Sequence, residues 1–247
     1  MSTAKACCQI PPVVSNYEPI GTVENLGDLP VYTVGNKDSK KAIIVIMDIF
    51  GFQYVIGLNT KQFCDVLANH CGYRVVLPDW FRGKPATHDM LGDMSKLMGW
   101  LQQVGTIEII KPQVDRVKEH LVSEGVVKTG LVGFCWGAKI AIQLSAQDSY
   151  YSAASLIHPS FFAVDDAKVA QAPLLVIPSK DEADLTEFME ILKQKPFGDK
   201  CKHVRFDDVH HGFAAARGNW EEGTADKKRA TEAIQLTADF FAENIQV

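Results

Sequence analysis

The chain has 247 residues, enough for one large α/β domain or two small ones. At 47% hydrophobic and 22% charged it can bury a large core without metal or disulfide staples. The net charge of −5 gives no electrostatic case for nucleic-acid binding, and no apolar run approaches the roughly 20 residues of a membrane span.

Met1 to Ile20 lack the apolar stretch and cleavage pattern of a secretory signal, so residues 1–20 read as a short N-terminal arm and 21–247 as one domain. The six cysteines (Cys7, Cys8, Cys64, Cys71, Cys135 and Cys201) show no framework spacing, which points to a reducing cytoplasmic setting. Cys7-Cys8 has no matching pair and reads as part of an inert tail. Lys40-Lys41 and Lys227-Lys228-Arg229 read as solvated faces.

In chain order, the stretch around Thr22 to Glu24 and Val31 to Val34 predict a hairpin across Gly27-Asp28. Lys41 to Asp48 is then a continuous apolar, β-branched run, the pattern of a strand buried on both faces. Thr60 to Asn69 places Phe63, Val66 and Leu67 on one helical face. Arg74 to Pro78 predicts the next strand, and Ile107 to Glu124 a helix with Ile110, Val114, Val117 and Leu121 at helical spacing. Gly130 to Phe134, Ala153 to Ile157 and Leu174 to Pro178 complete the buried strands, with a short one at His203 to Phe206. Helices are expected at Lys139 to Ala146, Leu185 to Lys195 and Lys228 to Asn244. Strands alternating with helices predict an α/β fold on a mostly parallel sheet, with helices on both faces and its site at the carboxyl ends of the strands.

The strand ends carry the chemistry. Gly133-Phe134-Cys135-Trp136-Gly137 has the glycine spacing of a nucleophile elbow, the sharp strand-to-helix turn that exposes a nucleophile above a helix N-terminus. There the positive end of the helix favours a thiolate. The acidic loop Ser179 to Asp184 follows a later strand. Asp181 is nearest the strand end and is the expected partner of a catalytic histidine, with Glu182 and Asp184 as alternatives. The last loop holds His210-His211-Gly212-Phe213, and one of these histidines completes the nucleophile–acid–base order of α/β-hydrolases. Neighbouring histidines rarely reach one ion together, so no metal is called for. After the first buried strand comes Asp48-Ile49-Phe50-Gly51, where this fold takes an oxyanion-hole amide. A carboxylate at Asp48 is unexpected there and suggests a role.

These motifs resemble the dienelactone hydrolase family of carboxymethylenebutenolidase-like proteins. The resemblance runs from about Gly21 to the C-terminus. Met47-Asp-Ile-Phe-Gly51, Leu77-Pro-Asp-Trp-Phe-Arg-Gly83, Gly133-Phe-Cys-Trp-Gly137 and His211-Gly-Phe213 carry it. His158-Pro159-Ser160-Phe161 and Ala214-Ala-Ala-Arg217-Gly218 look most like the fungal and other eukaryotic branch. The resemblance implies a Cys135-His211-Asp181 triad, because in the family the catalytic histidine directly precedes Gly-Phe. It implies an oxyanion hole from the amides of Ile49 and Trp136. It also implies that the carboxylate at Asp48 restrains the thiol, where bacterial relatives carry Glu, and that arginines hold a substrate carboxylate, with Arg82 and Arg217 nearest here.

The expectation is therefore a hydrolase of small esters or lactones, without cofactor, acting as a monomer or homodimer. Two alternatives use the same residues. One is a non-catalytic protein of this fold that binds a ligand or senses oxidants through Cys135. The other is a thioesterase or peptidase.

Overall fold

The structure, a computed structural model, describes residues 12–52 and 57–247. Cys7-Cys8 lies outside them. The hairpin forms as expected, from β1 (Thr22–Leu26) and β2 (Leu29–Gly35). Leu26 pairs with Leu29, and Gly27 takes the positive φ of 66° that this two-residue turn requires.

The hairpin is the antiparallel edge of an eight-stranded sheet. β2 pairs with β4 (Arg74–Pro78), and β4 flanks β3 (Lys41–Ile46) in parallel. β5 (Lys128–Phe134), β6 (Tyr151–Ile157), β7 (Leu174–Ile177) and β8 (Lys202–His203) follow, all parallel, giving the order β1-β2-β4-β3-β5-β6-β7-β8. Ala42 to Ile46 and Leu174 to Ile177 are fully buried, as their unbroken apolar runs require of strands covered on both faces.

The helices are α1 (Leu58–Cys71), α2 (Met94–Val104), α3 (Ile107–Ser123), α4 (Trp136–Ser145), α5 (Val164–Val169), α6 (Thr186–Lys193) and α7 (Ala225–Asn244). Two glycines of β5 show which covers which face. Gly130 and Gly133 point to opposite sides, because strand side chains alternate. A Cβ at Gly130 would meet Phe241 of α7 and Ile245 just beyond it, and one at Gly133 the backbone of Ala138 in α4. α7 packs with α1 on the first face, and α4 with α3 on the second.

Three elements differ from the sequence reading. Neither the short α5 nor α2 was expected. α2 buries only Leu97 and Leu101 and is started by Asp93, whose carboxylate accepts from the amides of Ser95 and Lys96. β8 is shorter than expected, with Phe206 joined to Ser179 by an isolated bridge.

Candidate active site

The turn at Cys135 is set by space. A Cβ at Gly133 would lie 2.5 Å from the backbone of Ala138, and one at Gly137 2.2 Å from the carbonyl oxygen of Ile46. Only glycine lets α4 start this close to β5 and β3. Cys135 between them has φ 53° and ψ −117°, a strained conformation for a side-chain-bearing residue. Two backbone bonds hold it there: its amide donates to Ile157 at 3.1 Å, and its carbonyl accepts from Ser160 at 3.0 Å. Trp136 is the first residue of α4, so its amide has no intrahelical acceptor and faces the same end of the helix as the thiol.

His211 is brought to Cys135 by the loop after β8 and is buried. Its Nδ1 lies 2.7 Å from Glu182 Oε1. Glu182 is itself buried and fixed by the amide and hydroxyl of Ser179. Burial alone would pull the His211 imidazole below its usual value. The charge and hydrogen bond of Cys135, and then those of Glu182, outweigh burial and hold it at about 9. Cys135, His211 and Glu182 thus form a buried line of sulfur, imidazole ring and carboxyl group.

Ser160 joins this line. Its Oγ is 3.5 Å from Cys135 Sγ and 3.5 Å from His211 Nε2. Next to it, His158 is fully buried at φ 37°. Its ring meets His211 edge-to-face, with centroids 5.0 Å apart, and packs against Phe134 and Phe213. Neither ring nitrogen has a hydrogen-bond partner among the described residues, and burial, with the charge of His211 beside it, pushes its pKa well down. His158 is therefore a neutral aromatic wall behind the His211 ring.

The dienelactone hydrolase family model matches residues 29–245. The chain belongs to the dienelactone hydrolase family. Relatives include an uncharacterised AIM2 family protein of Schizosaccharomyces pombe, 33% identical over 89% of each chain. The carboxymethylenebutenolidase homolog of Rattus norvegicus is 31% identical over 79% of each. Among solved structures, a dienelactone hydrolase described as putative, from Klebsiella pneumoniae, shares the fold at TM-score 0.67 and 19% identity, covering 92% of this chain and all of the other.

Within this family member, several expected site residues stand elsewhere than the sequence reading put them. Asp181 does not face the histidine ring. Its carboxylate accepts from the His211 backbone amide at 2.8 Å, and Glu182, one residue on, takes the ring. The turn explains this: Asp181 N bonds Ser179 Oγ, which aims residue 181 along the loop and residue 182 back under it. Asp184, the other alternative, is exposed and accepts from Thr186 at the start of α6. His210 turns away to Asp226, 3.0 Å from its Nε2, which leaves His211 to meet Cys135.

Arg82 does not reach the site. It clamps the β1–β2 turn to α3, pairing with Asp28 at 2.8 Å and Gln113 at 2.6 Å. Arg217 is buried, with its guanidinium 4.7 Å from the Phe50 ring and its charge acting on Asp48. Asp48 is buried too. It accepts from the amides of Phe50 at 2.9 Å and Ala216 at 3.3 Å, tying the loop that carries Ile49 to the segment after His211. Burial raises its pKa, against the Phe50 amide and the Arg217 charge. In the sequence Glu182 is one alternative, placed behind Asp181 by its distance from the strand end, and Ser160 appears only within the His158-Pro159-Ser160-Phe161 motif. A serine just after a strand that borders the elbow strand was the available signal for the latter. No group of three or more His, Cys, Asp or Glu among the described residues is disposed to hold a metal ion.

Proposed function

We propose that this chain hydrolyses small esters or lactones by covalent catalysis at Cys135, with His211 as base and acid and Glu182 as the carboxylate that orients it. The observation that carries the reading is the buried line from Sγ through the His211 ring to Glu182, with His211 held at about 9 despite burial. The Cys135 sulfur attacks the substrate carbonyl carbon, forming a C–S bond. The oxyanion is held by the amides of Ile49 and Trp136, a contribution typically of several kcal/mol. Collapse breaks the C–O bond, and the leaving oxygen takes the proton from His211 Nε2. Neutral His211 then removes a proton from water, whose oxygen attacks the thioester. The product acid leaves and the thiolate–imidazolium pair is restored.

Ser160 Oγ, beside both reacting atoms, donates to the sulfur while it is a thiolate. Asp48 has a positioning role in this scheme: it holds the Ile49 loop through two amides and keeps Arg217 beside it. A small-molecule substrate fits the net charge of −5, which offers nucleic acid nothing. A cytosolic setting is in keeping with Cys64, Cys71 and Cys201, which among the described residues form no disulfide. No described helix is long and apolar enough to cross a membrane.

The test is release of 4-nitrophenol from 4-nitrophenyl acetate by the wild type, Cys135→Ala and Cys135→Ser. The wild type turns over, and both variants lose at least about a thousandfold in kcat/KM. Equal turnover in Cys135→Ala contradicts the proposal. An inert wild type whose Cys135 still oxidises readily favours the redox-sensing reading.

A further inference from the structure

The segment after His211, from Phe213 to Arg217, is buried although it is neither helix nor strand. Its backbone groups therefore need partners from elsewhere. Asn59, in the first turn of α1, supplies two of them. Its Nδ2 donates to the carbonyl of Gly218 at 2.7 Å and to that of Ala215 at 3.2 Å. Asn59 is itself buried, where an amide side chain costs free energy unless it is bonded, and both of its donors serve this one segment. Ala216, between those two carbonyls, is held from two further directions. Its carbonyl accepts from the Val13 amide at 2.8 Å, and its amide donates to Asp48 Oδ2 at 3.3 Å.

The bond to Asp48 links this segment to the other side of the site. Asp48 Oδ1 accepts from the Phe50 amide at 2.9 Å, and the Arg217 guanidinium lies 4.7 Å from the Phe50 ring. Ile49 stands between Asp48 and Phe50, so the direction of its amide is set by two residues that the segment holds. The carbonyl of Ile49 has a separate hold, a bond from the Ala86 amide at 2.9 Å. An oxyanion donor acts only when it is already aimed at the place where charge develops.

We infer that Asn59 is a positioning residue for the oxyanion hole. It braces residues 215–218 so that Ala216 holds Asp48, and Asp48 in turn aims the Ile49 amide. Val13 grips the same brace from the N-terminal arm and is its weaker, outer hold. Asn59 does not meet the Cys135–His211–Glu182 line in this scheme, so it governs stabilisation of the oxyanion and leaves formation of the thiolate alone. The inference rests on the proposed Cys135 chemistry with Ile49 as an oxyanion donor.

The test sets two reactions of the same thiol against each other. Acylation by 4-nitrophenyl acetate passes through an oxyanion and is read as the first-turnover release of 4-nitrophenol. Iodoacetamide alkylation forms a C–S bond as iodide leaves carbon, builds no oxyanion, and reads the thiolate. Asn59→Ala should slow acylation by about tenfold or more and leave Cys135 alkylation within about twofold of the wild type. Val13→Pro removes the amide that reaches Ala216 and should slow acylation about threefold, again without slowing alkylation. In an Asp48→Ala background, Asn59→Ala should add less than about threefold, because the two residues act on one loop. Acylation at the wild-type rate in Asn59→Ala, equal slowing of both reactions, or additive losses in the double variant overturns the inference. Where Asn59→Ala does not fold, Val13→Pro decides alone, and acylation at the wild-type rate there overturns it. If Cys135→Ala still hydrolyses 4-nitrophenyl acetate, the underlying chemistry has failed instead, and the inference falls with it.

Discussion

Glu182 and Asp181 are adjacent carboxylates with different duties, and the difference is measurable. Glu182 raises the His211 pKa through its charge and its bond to Nδ1, whereas Asp181 meets only the backbone amide. A histidine raised to about 9 stays protonated below that value and loses its proton as pH rises through it. In the proposed scheme the leaving oxygen needs that proton, so kcat/KM should fall above about pH 9. Glu182→Gln removes a charge that holds the His211 pKa up, so the alkaline limb should move to lower pH. Asp181→Asn should leave the limb in place. A limb unmoved in Glu182→Gln would remove Glu182 from the orienting role. Ser160 makes a second prediction at this scale. Loss of one hydroxyl donor to a thiolate should slow iodoacetamide alkylation of Cys135 about tenfold in Ser160→Ala at neutral pH, since hydrogen bonds to charged groups contribute about 1.5–3 kcal/mol. Equal rates would leave Ser160 as packing. That His211 rather than His210 meets Cys135 was foreseen only through the family resemblance, in which the histidine precedes Gly-Phe. The choice of Glu182 over Asp181 was not legible in the sequence, because nearness to a strand end does not fix the direction of a side chain inside a three-residue turn.

At the scale of elements, the elbow depends on a close approach of α4 to β3 and β5. A methyl at Gly137 would sit 2.2 Å from a strand carbonyl that cannot move without breaking the sheet. Gly137→Ala should therefore destabilise the protein by at least about 3 kcal/mol, or prevent folding. Arg82→Ala breaks a half-exposed clamp on the hairpin and should cost only about 0.5–1 kcal/mol. Urea midpoints compare the two, and a reversed order would contradict this account of the elbow. The buried strands were readable because a strand covered on both faces has no polar alternation, as in Ala42 to Ile46. α2 was missed for the opposite reason. Only two of its residues are buried, so its apolar face is too thin to stand out from a polar loop.

Across the whole molecule, the parallel topology gathers the ends of β3, β5, β6, β7 and β8 on one side of the sheet. Asp48, Cys135, Ser160, Glu182 and His211 each follow one of these strands, so residues spread over more than half the chain meet in one buried cluster. The buried strands and their carboxyl ends were legible from hydrophobic runs, while the strand order was not read from the sequence. Which loop residues touch was not, because the contacts depend on backbone turns such as those of Arg82, His158 and Phe161, all at positive φ without being glycine. The central claim is that this cluster makes a covalent acyl-enzyme at Cys135. The most direct measurement is mass spectrometry of the protein quenched in acid milliseconds after mixing with excess 4-nitrophenyl acetate, followed by peptide mapping. The account predicts a single acetyl group, about 42 Da, on the peptide containing Cys135, lost on further incubation in the wild type and absent in Cys135→Ala. Acetyl on another residue, or turnover with Cys135 never modified, would contradict it.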